Sequence, residues 1–208
     1  MSEPFPPFSS TETELQRAYN GAIDVGVTHF WNRSPIPGVH ADEIFTLYKR
    51  AWSAYQRGTA QDRLLAERWA RAVKHLAIAL CHEAKMNYLE PRLRVLPEPS
   101  VTSEAQEVAT RAGHENALVL LDAAAERIQK SSLPLGADLD TLNRLLNRGR
   151  IHLKQSPPAT SPLGLLRQER IQAAHEYGRT LEYLLLAMES EAEPKKANGP
   201  AISRQAAA

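Results

Sequence analysis

Residues 59–90 contain neither glycine nor proline, while Gly58 and Pro91 stand at either end. Without a turn residue or a breaker, such a segment has one regular solution, a single helix roughly 45 Å long at about 1.5 Å per residue. Thr59 with Asp62 three residues on makes a capping pair at its start. Leu65, Trp69, Val73, Leu76 and Leu80 recur at spacings of three and four, which predicts one core-facing side. A helix of that length is a spine, and the rest of the chain has to pack around it.

The flanking sequence supplies the partners. A first helix is predicted from Thr11 to Trp31, capped by Thr11 with Glu14, on a stripe of Leu15, Ala18, Tyr19, Ala22 and Phe30. A second is predicted from Asp42 to Gln56, with Ile44, Leu47, Tyr48, Ala51, Trp52 and Tyr55 as its apolar face. Gly58 then sits where a left-handed residue closes a helix, so the second helix and the spine form a tight antiparallel hairpin with Trp52, Trp69 and Leu76 buried. Three prolines between Pro91 and Pro99 exclude a helix there.

Ser103 with Gln106 opens a fourth helix reaching Lys130, on a stripe of Ala105, Val108, Ala109, Ala112, Val119, Leu120, Ala123 and Ile128, with Gly113 as an interruption. A short fifth helix is predicted from Asp138, as cap, to Leu146, ending near Gly149. Pro162 behind Ser161 opens a sixth that runs to Glu191. The expected architecture is an all-α, up-down helical bundle of about six helices in one domain, residues 11–192. A flexible segment, residues 1–10, precedes it and a disordered polar tail, residues 193–208, follows. No strand pattern and no fixed-period repeat is visible.

Composition narrows the function classes. Twenty-five basic and 24 acidic residues leave a net charge of +1, which argues against a globally basic nucleic-acid binder but leaves room for a local patch. One cysteine, Cys81, excludes a disulfide within the chain and fits a reducing, cytoplasmic setting. The opening Met-Ser-Glu-Pro-Phe-Pro-Pro-Phe has neither the basic nor the apolar region of a signal peptide, and no apolar run is long enough for a membrane span.

Three His-Glu pairs, at His82, His114 and His175, invite a zinc reading. Each lacks the second histidine four residues on, where Met86, Leu118 and Arg179 stand, so no metal or other cofactor is expected. One flank of the spine carries Arg68, Arg71, His75, His82 and Lys85. It reads either as a solvated face with pairs such as Glu67 to Arg71 or as a basic ridge that meets RNA phosphate. Basic and amide side chains also gather from Asn143 to Lys154, without aromatic interleaving or a Gly-rich phosphate cradle.

The sixth helix has a core stripe of Leu163, Ile171, Ala174, Leu181, Leu185 and Met188, and Arg170 points close to the centre of it. An arginine there must find a carboxylate, reach water, or serve a site. His175 lies about 140° round the helix from it.

Arg170, four residues, His175, one residue and Tyr177 on the last long helix of an all-α domain resemble the HEPN superfamily, whose signature is an arginine and a histidine with four to six residues between them. The hairpin from Tyr55 to Leu80, with Gly58, Ala66, Glu67, Ala70, Lys74 and Ala77, is similar to the HEPN hairpin. The resemblance implies a dimerising bundle of four to five helices and metal-independent RNA cleavage, often in toxin–antitoxin or defence systems. It implies that His175 is the general acid or base and that Arg170 stabilises the phosphoryl charge, with the working site shared between two protomers. Leu184, Leu185, Leu186 and Met188 exceed one narrow stripe, so the expected homodimer forms through this last helix. Many members of the superfamily bind without cleaving, so the alternative is a non-catalytic helical module that binds a protein partner.

Overall fold

The structure is a computed structural model of the 208-residue chain, and it describes residues 9–32, 38–93, 104–131, 136–156 and 164–192. For residues 26–32, 38–42, 136–137 and 164–165 it describes the backbone alone. Six helices follow in order: α1 (Ser10–Asn32), α2 (Gly38–Arg57), α3 (Ala60–Leu93), α4 (Glu104–Lys130), α5 (Gly136–Lys154) and α6 (Gly164–Ala192). The described residues include no β-strand, and the chain is an all-α helical bundle.

The bundle is two three-helix halves. In the first, α1 runs parallel to α3, with Gly21 set against Ala77 and Lys74 reaching Glu14, while α2 returns antiparallel between them. In the second, α4 runs parallel to α6, with Gly113 against Ile171 and Gly178 against Leu120, while α5 returns antiparallel. The long helices α3 and α6 then cross antiparallel as the seam, His75 facing Glu176 and His82 facing Glu169. Every consecutive pair of helices therefore alternates in direction. The same pairing recurs in both halves although no sequence period announces it, because helix packing needs only compatible apolar stripes.

The spine forms as its sequence predicts. Thr59 and Asp62 exchange cap bonds, with Asp62 N–H donating to Thr59 Oγ1 at 3.1 Å. Gly58 takes φ 79°, which closes α2. Trp69 and Leu76 are fully buried. Pro91, by contrast, does not end α3. It lies in the last turn, where one lost N–H is tolerated, and the helix continues to Leu93. Residues 94–103, most of the proline-rich stretch, lie outside the described residues, as do 1–8, 33–37, 157–163 and 193–208.

Several boundaries and faces differ from the sequence expectation. The cap of α1 is Ser9 with Glu12, reciprocally bonded at 2.8 and 3.2 Å, and Thr11 and Glu14 turn inward. The α2 helix begins at Gly38, one turn before Asp42. Trp52 is exposed, because Ala51 and Ala54 take the centre of the α2 face and leave the larger ring on its flank. In α4, Gly113 is accommodated without a break, and the stripe chosen from Val108 and Val119 points to solvent. Ile128 is buried as expected and Leu120 packs on Gly178 of α6, but the centre of the buried face is Ala117, Leu121, Ala124 and Ala125. Asp138 is not a cap. It lies inside α5 and binds Arg50 of α2 at 2.9 Å.

Gly149 is the most consequential difference. It does not end α5, which runs on to Lys154. A Cβ at this position would lie 2.7 Å from Leu121 Cδ2 and 3.2 Å from Tyr177 Cβ, so the glycine admits α4 and α6 at close range. It is a packing glycine inside a helix.

Of the surface expected to form a dimer, only Leu186 is left partly exposed. Leu184, Leu185 and Met188 are buried, with α3 on one side of α6 and α4 and α5 on the other. The apolar surplus of α6 is what a central helix touched on several sides requires.

Candidate functional site

Helices α3 and α5 both flank α6 but do not pack on each other. The space between them is a cleft of about 710 Å³, within the size range of small-molecule sites. Its walls carry Met86, Asn87 and Glu90 from α3, and Asp140, Asn143, Asn147 and Ile151 from α5, with Gln155 following that helix. Arg170 of α6 closes one part of the wall.

A largely buried polar cluster, whose Glu83, Arg148 and His152 also line this cleft, bridges the two helices. Glu83, on α3, is almost wholly enclosed. Its Oε1 accepts from His152 Nε2 at 2.6 Å, from Arg148 Nε at 2.6 Å and from the Tyr177 hydroxyl at 2.8 Å, while Arg148 Nη2 donates to Oε2. Burial alone would raise the Glu83 carboxyl, but the bonds from His152 and Arg148 outweigh it and hold it down at about 2. Tyr177 is pushed well above its ordinary range, first by burial and then by the charge of Glu83. The carboxylate is therefore ionised and the phenol neutral, which fits the direction of every bond in the cluster. The bond to Glu83 sets Nε2 of His152 as the protonated nitrogen, leaving Nδ1 buried and, among the described residues, with no hydrogen-bond partner. The imidazole lies 6.0 Å from the Tyr177 ring, nearly parallel to it.

Arg148 and His152 are one turn apart on α5, so they reach the same carboxylate. Gly149 lies between them and sets how closely α5 approaches α6. Sequence reasoning missed Glu83, Arg148, His152 and Tyr177 as a group because it ended α5 before His152. The available signal was the cluster of basic and amide residues from Asn143 to Lys154.

The residues that the sequence singled out divide between two places. Arg170 belongs to the cleft, and its side chain is 16% exposed. It donates to the neutral amide of Gln155 at 3.2 Å, and among the described residues its ion-pair partner is Glu90, 4.0 Å away. It thus faces the cleft and not the core stripe. His175 belongs to the α3–α6 seam, where its Nδ1 lies 3.2 Å from Glu176 Oε1. Arg170 lines the cleft and His175 does not.

The basic flank of α3 is the α3 side of that same seam. His75 Nδ1 lies 2.6 Å from Glu176 Oε2, and His82 Nδ1 lies 2.7 Å from Glu169. Lys85 also binds Glu169, Arg71 binds Glu67, and Arg68 donates to Leu186 O and Ser190. Burial would raise Glu176, but hydrogen bonds from His175 and His75 hold it at about 2. Arg68, Arg71, His75, His82 and Lys85 therefore each have a partner within the chain, while the Lys85 and Arg71 side chains stay partly open to solvent. Among the described residues no group of histidine, cysteine and acidic side chains has the arrangement of a metal site, and no helix is long and apolar enough to cross a membrane.

Comparison with family models, with curated proteins and with solved structures finds no match to this chain.

Proposed function

We propose that the chain is a helical RNA-binding module whose site is the α3–α5 cleft, with Arg170 as the contact to phosphate. The observation that carries the reading is the state of Arg170. It is a part-buried guanidinium held by a neutral amide, and among the described residues its ion pair is with Glu90, at 4.0 Å. A part-buried cation whose ion pair is this long gains a charge-assisted, two-pronged bond when a phosphate enters. The amides of Asn143 and Asn147 on the facing wall offer donors and acceptors to the edges of an unstacked base. The HEPN resemblance supports the same ligand class. Binding without cleavage is the reading that one chain supports, since His175 lies at the seam and cleavage by the pair needs a second protomer's histidine.

The test is fluorescence anisotropy of a labelled single-stranded RNA, in chelator, with wild type beside Arg170→Ala and Arg68→Ala. Arg170→Ala is expected to weaken binding by about tenfold or more, the worth of one charge-assisted pair. Arg68→Ala is expected to leave it unchanged. Equal binding by wild type and Arg170→Ala, or none by a well-folded wild type, would remove the cleft from RNA recognition. Gel analysis of the same mixtures addresses cleavage: strand scission that His175→Ala abolishes would restore the catalytic reading.

A further inference from the structure

On the opposite half of the bundle, α1 and α2 run antiparallel and present aromatic rings outward across their shared groove. The Tyr55 hydroxyl bonds Glu12 at 2.6 Å, and Tyr19 and Tyr48 rings lie 5.7 Å apart, which fixes the register of the pair. Trp52 lies 5.7 Å from Tyr55. One turn beyond Tyr19 on α1 is Ile23, and the antiparallel register sets Phe45 of α2 opposite it. Tyr19, Ile23, Phe45 and Trp52 are each between 41% and 44% exposed. Single exposed apolar residues need no explanation, but a continuous ring-lined stripe of this kind marks a docking surface.

The chemistry of the stripe selects its occupant. Grooves lined by tyrosine and tryptophan receive extended proline-rich segments, whose rings and backbone are already ordered in the bound form. Such a segment lies in this chain's own sequence. Residues 1–8, outside the described part of the structure, read Met-Ser-Glu-Pro-Phe-Pro-Pro-Phe and join the fold at Ser9. Ser9 is bonded to Glu12, the residue that also holds Tyr55 at one end of the stripe. From the Glu12–Tyr55 rung to the Tyr19–Tyr48 rung is seven residues of helix, roughly 10 Å, whereas eight extended residues reach roughly 25 Å. We propose that Pro4–Phe8 docks on the α1–α2 aromatic stripe of the same chain and covers it.

The experiment uses the full chain labelled for NMR. The expected result is cross-relaxation between the Phe5 or Phe8 ring and the Trp52 indole, unchanged on tenfold dilution. The double variant Phe5→Ser and Phe8→Ser is expected to abolish it and to increase acrylamide quenching of Trp52. Cross-relaxation that disappears on dilution would place the segment of a second copy on the stripe and overturn docking within one chain. Trp52 signals indifferent to the double variant would overturn the proposal entirely.

Discussion

Glu83 shows how one residue organises a site. Its carboxylate gathers an arginine, a histidine and a tyrosine from two other helices, and it bridges the helices that do not otherwise meet. Removing one partner of a buried ionic cluster leaves the others uncompensated, which commonly costs about 3–5 kcal/mol. Glu83→Gln, which keeps the size but not the charge, is therefore expected to lower stability by an amount of that order, measured by urea denaturation. A loss below about 1 kcal/mol would show that water solvates Arg148 and His152 adequately without the carboxylate. None of this was legible residue by residue. A glutamate beside a histidine in the sequence looked like an incomplete zinc motif, and its real partners lie 65 to 94 positions away. Arg170 was legible as an anomaly, since an arginine aimed near an apolar stripe requires an explanation. What the sequence could not show is that α3 and α5 stand apart and leave it a cleft to face.

At the scale of the element, the long helices were readable and the packing contacts between them were not. Residues 59–90 have one regular solution, and α3 takes it. Trp69 is its anchor, fully buried, with its indole N–H donating to Glu191 at 3.1 Å and Arg50 lying 5.0 Å over the ring. Trp69→Ala should cost about 3–5 kcal/mol as a core truncation, read from the shift of the denaturation midpoint. Glycines were the least legible residues, because the same residue type ends helices and admits neighbours. Gly58 does the first, while Gly149 and Gly178 do the second. A Cβ on Gly178 would stand 2.7 Å from Leu120 Cβ, an atom that a rotamer change does not move. Gly178→Ala is thus expected to destabilise by about 1–3 kcal/mol through overpacking, despite a gain of up to ~1 kcal/mol in helix propensity. A more stable Gly178→Ala protein would mean that α4 and α6 separate without penalty.

For the whole molecule, the α3–α6 seam is the axis on which the two halves join, and its polar pairs make it sensitive to acid. Glu176 in the seam and Glu83 beside it are both held at about 2, against an ordinary 4.5. Folded-state values below the unfolded ones mean that the unfolded chain binds more protons in this window. The stability these carboxylates contribute is complete above pH 4.5 and is lost as pH falls through 4.5 toward 2. Denaturant midpoints measured across that range should fall steeply, and a Glu83→Gln, Glu176→Gln protein should start lower and fall less. Equal slopes would remove these two groups from the acid response. The all-α class, the alternation of helices and the hairpin of α2 with α3 follow from patterning alone. The repeated three-helix halves and the burial of the Leu184–Met188 surface do not, because both depend on which of several apolar faces meet. Whether RNA enters the α3–α5 cleft or meets the basic flank of α3 can be read by mapping amide and side-chain amide shifts as a short single-stranded RNA is added. Asn87, Asn143, Asn147 and Gln155 are expected to move, and residues flanking His75 and His82 to stay still. Shifts confined to the α3–α6 seam, with the cleft amides unmoved, would contradict binding in the cleft.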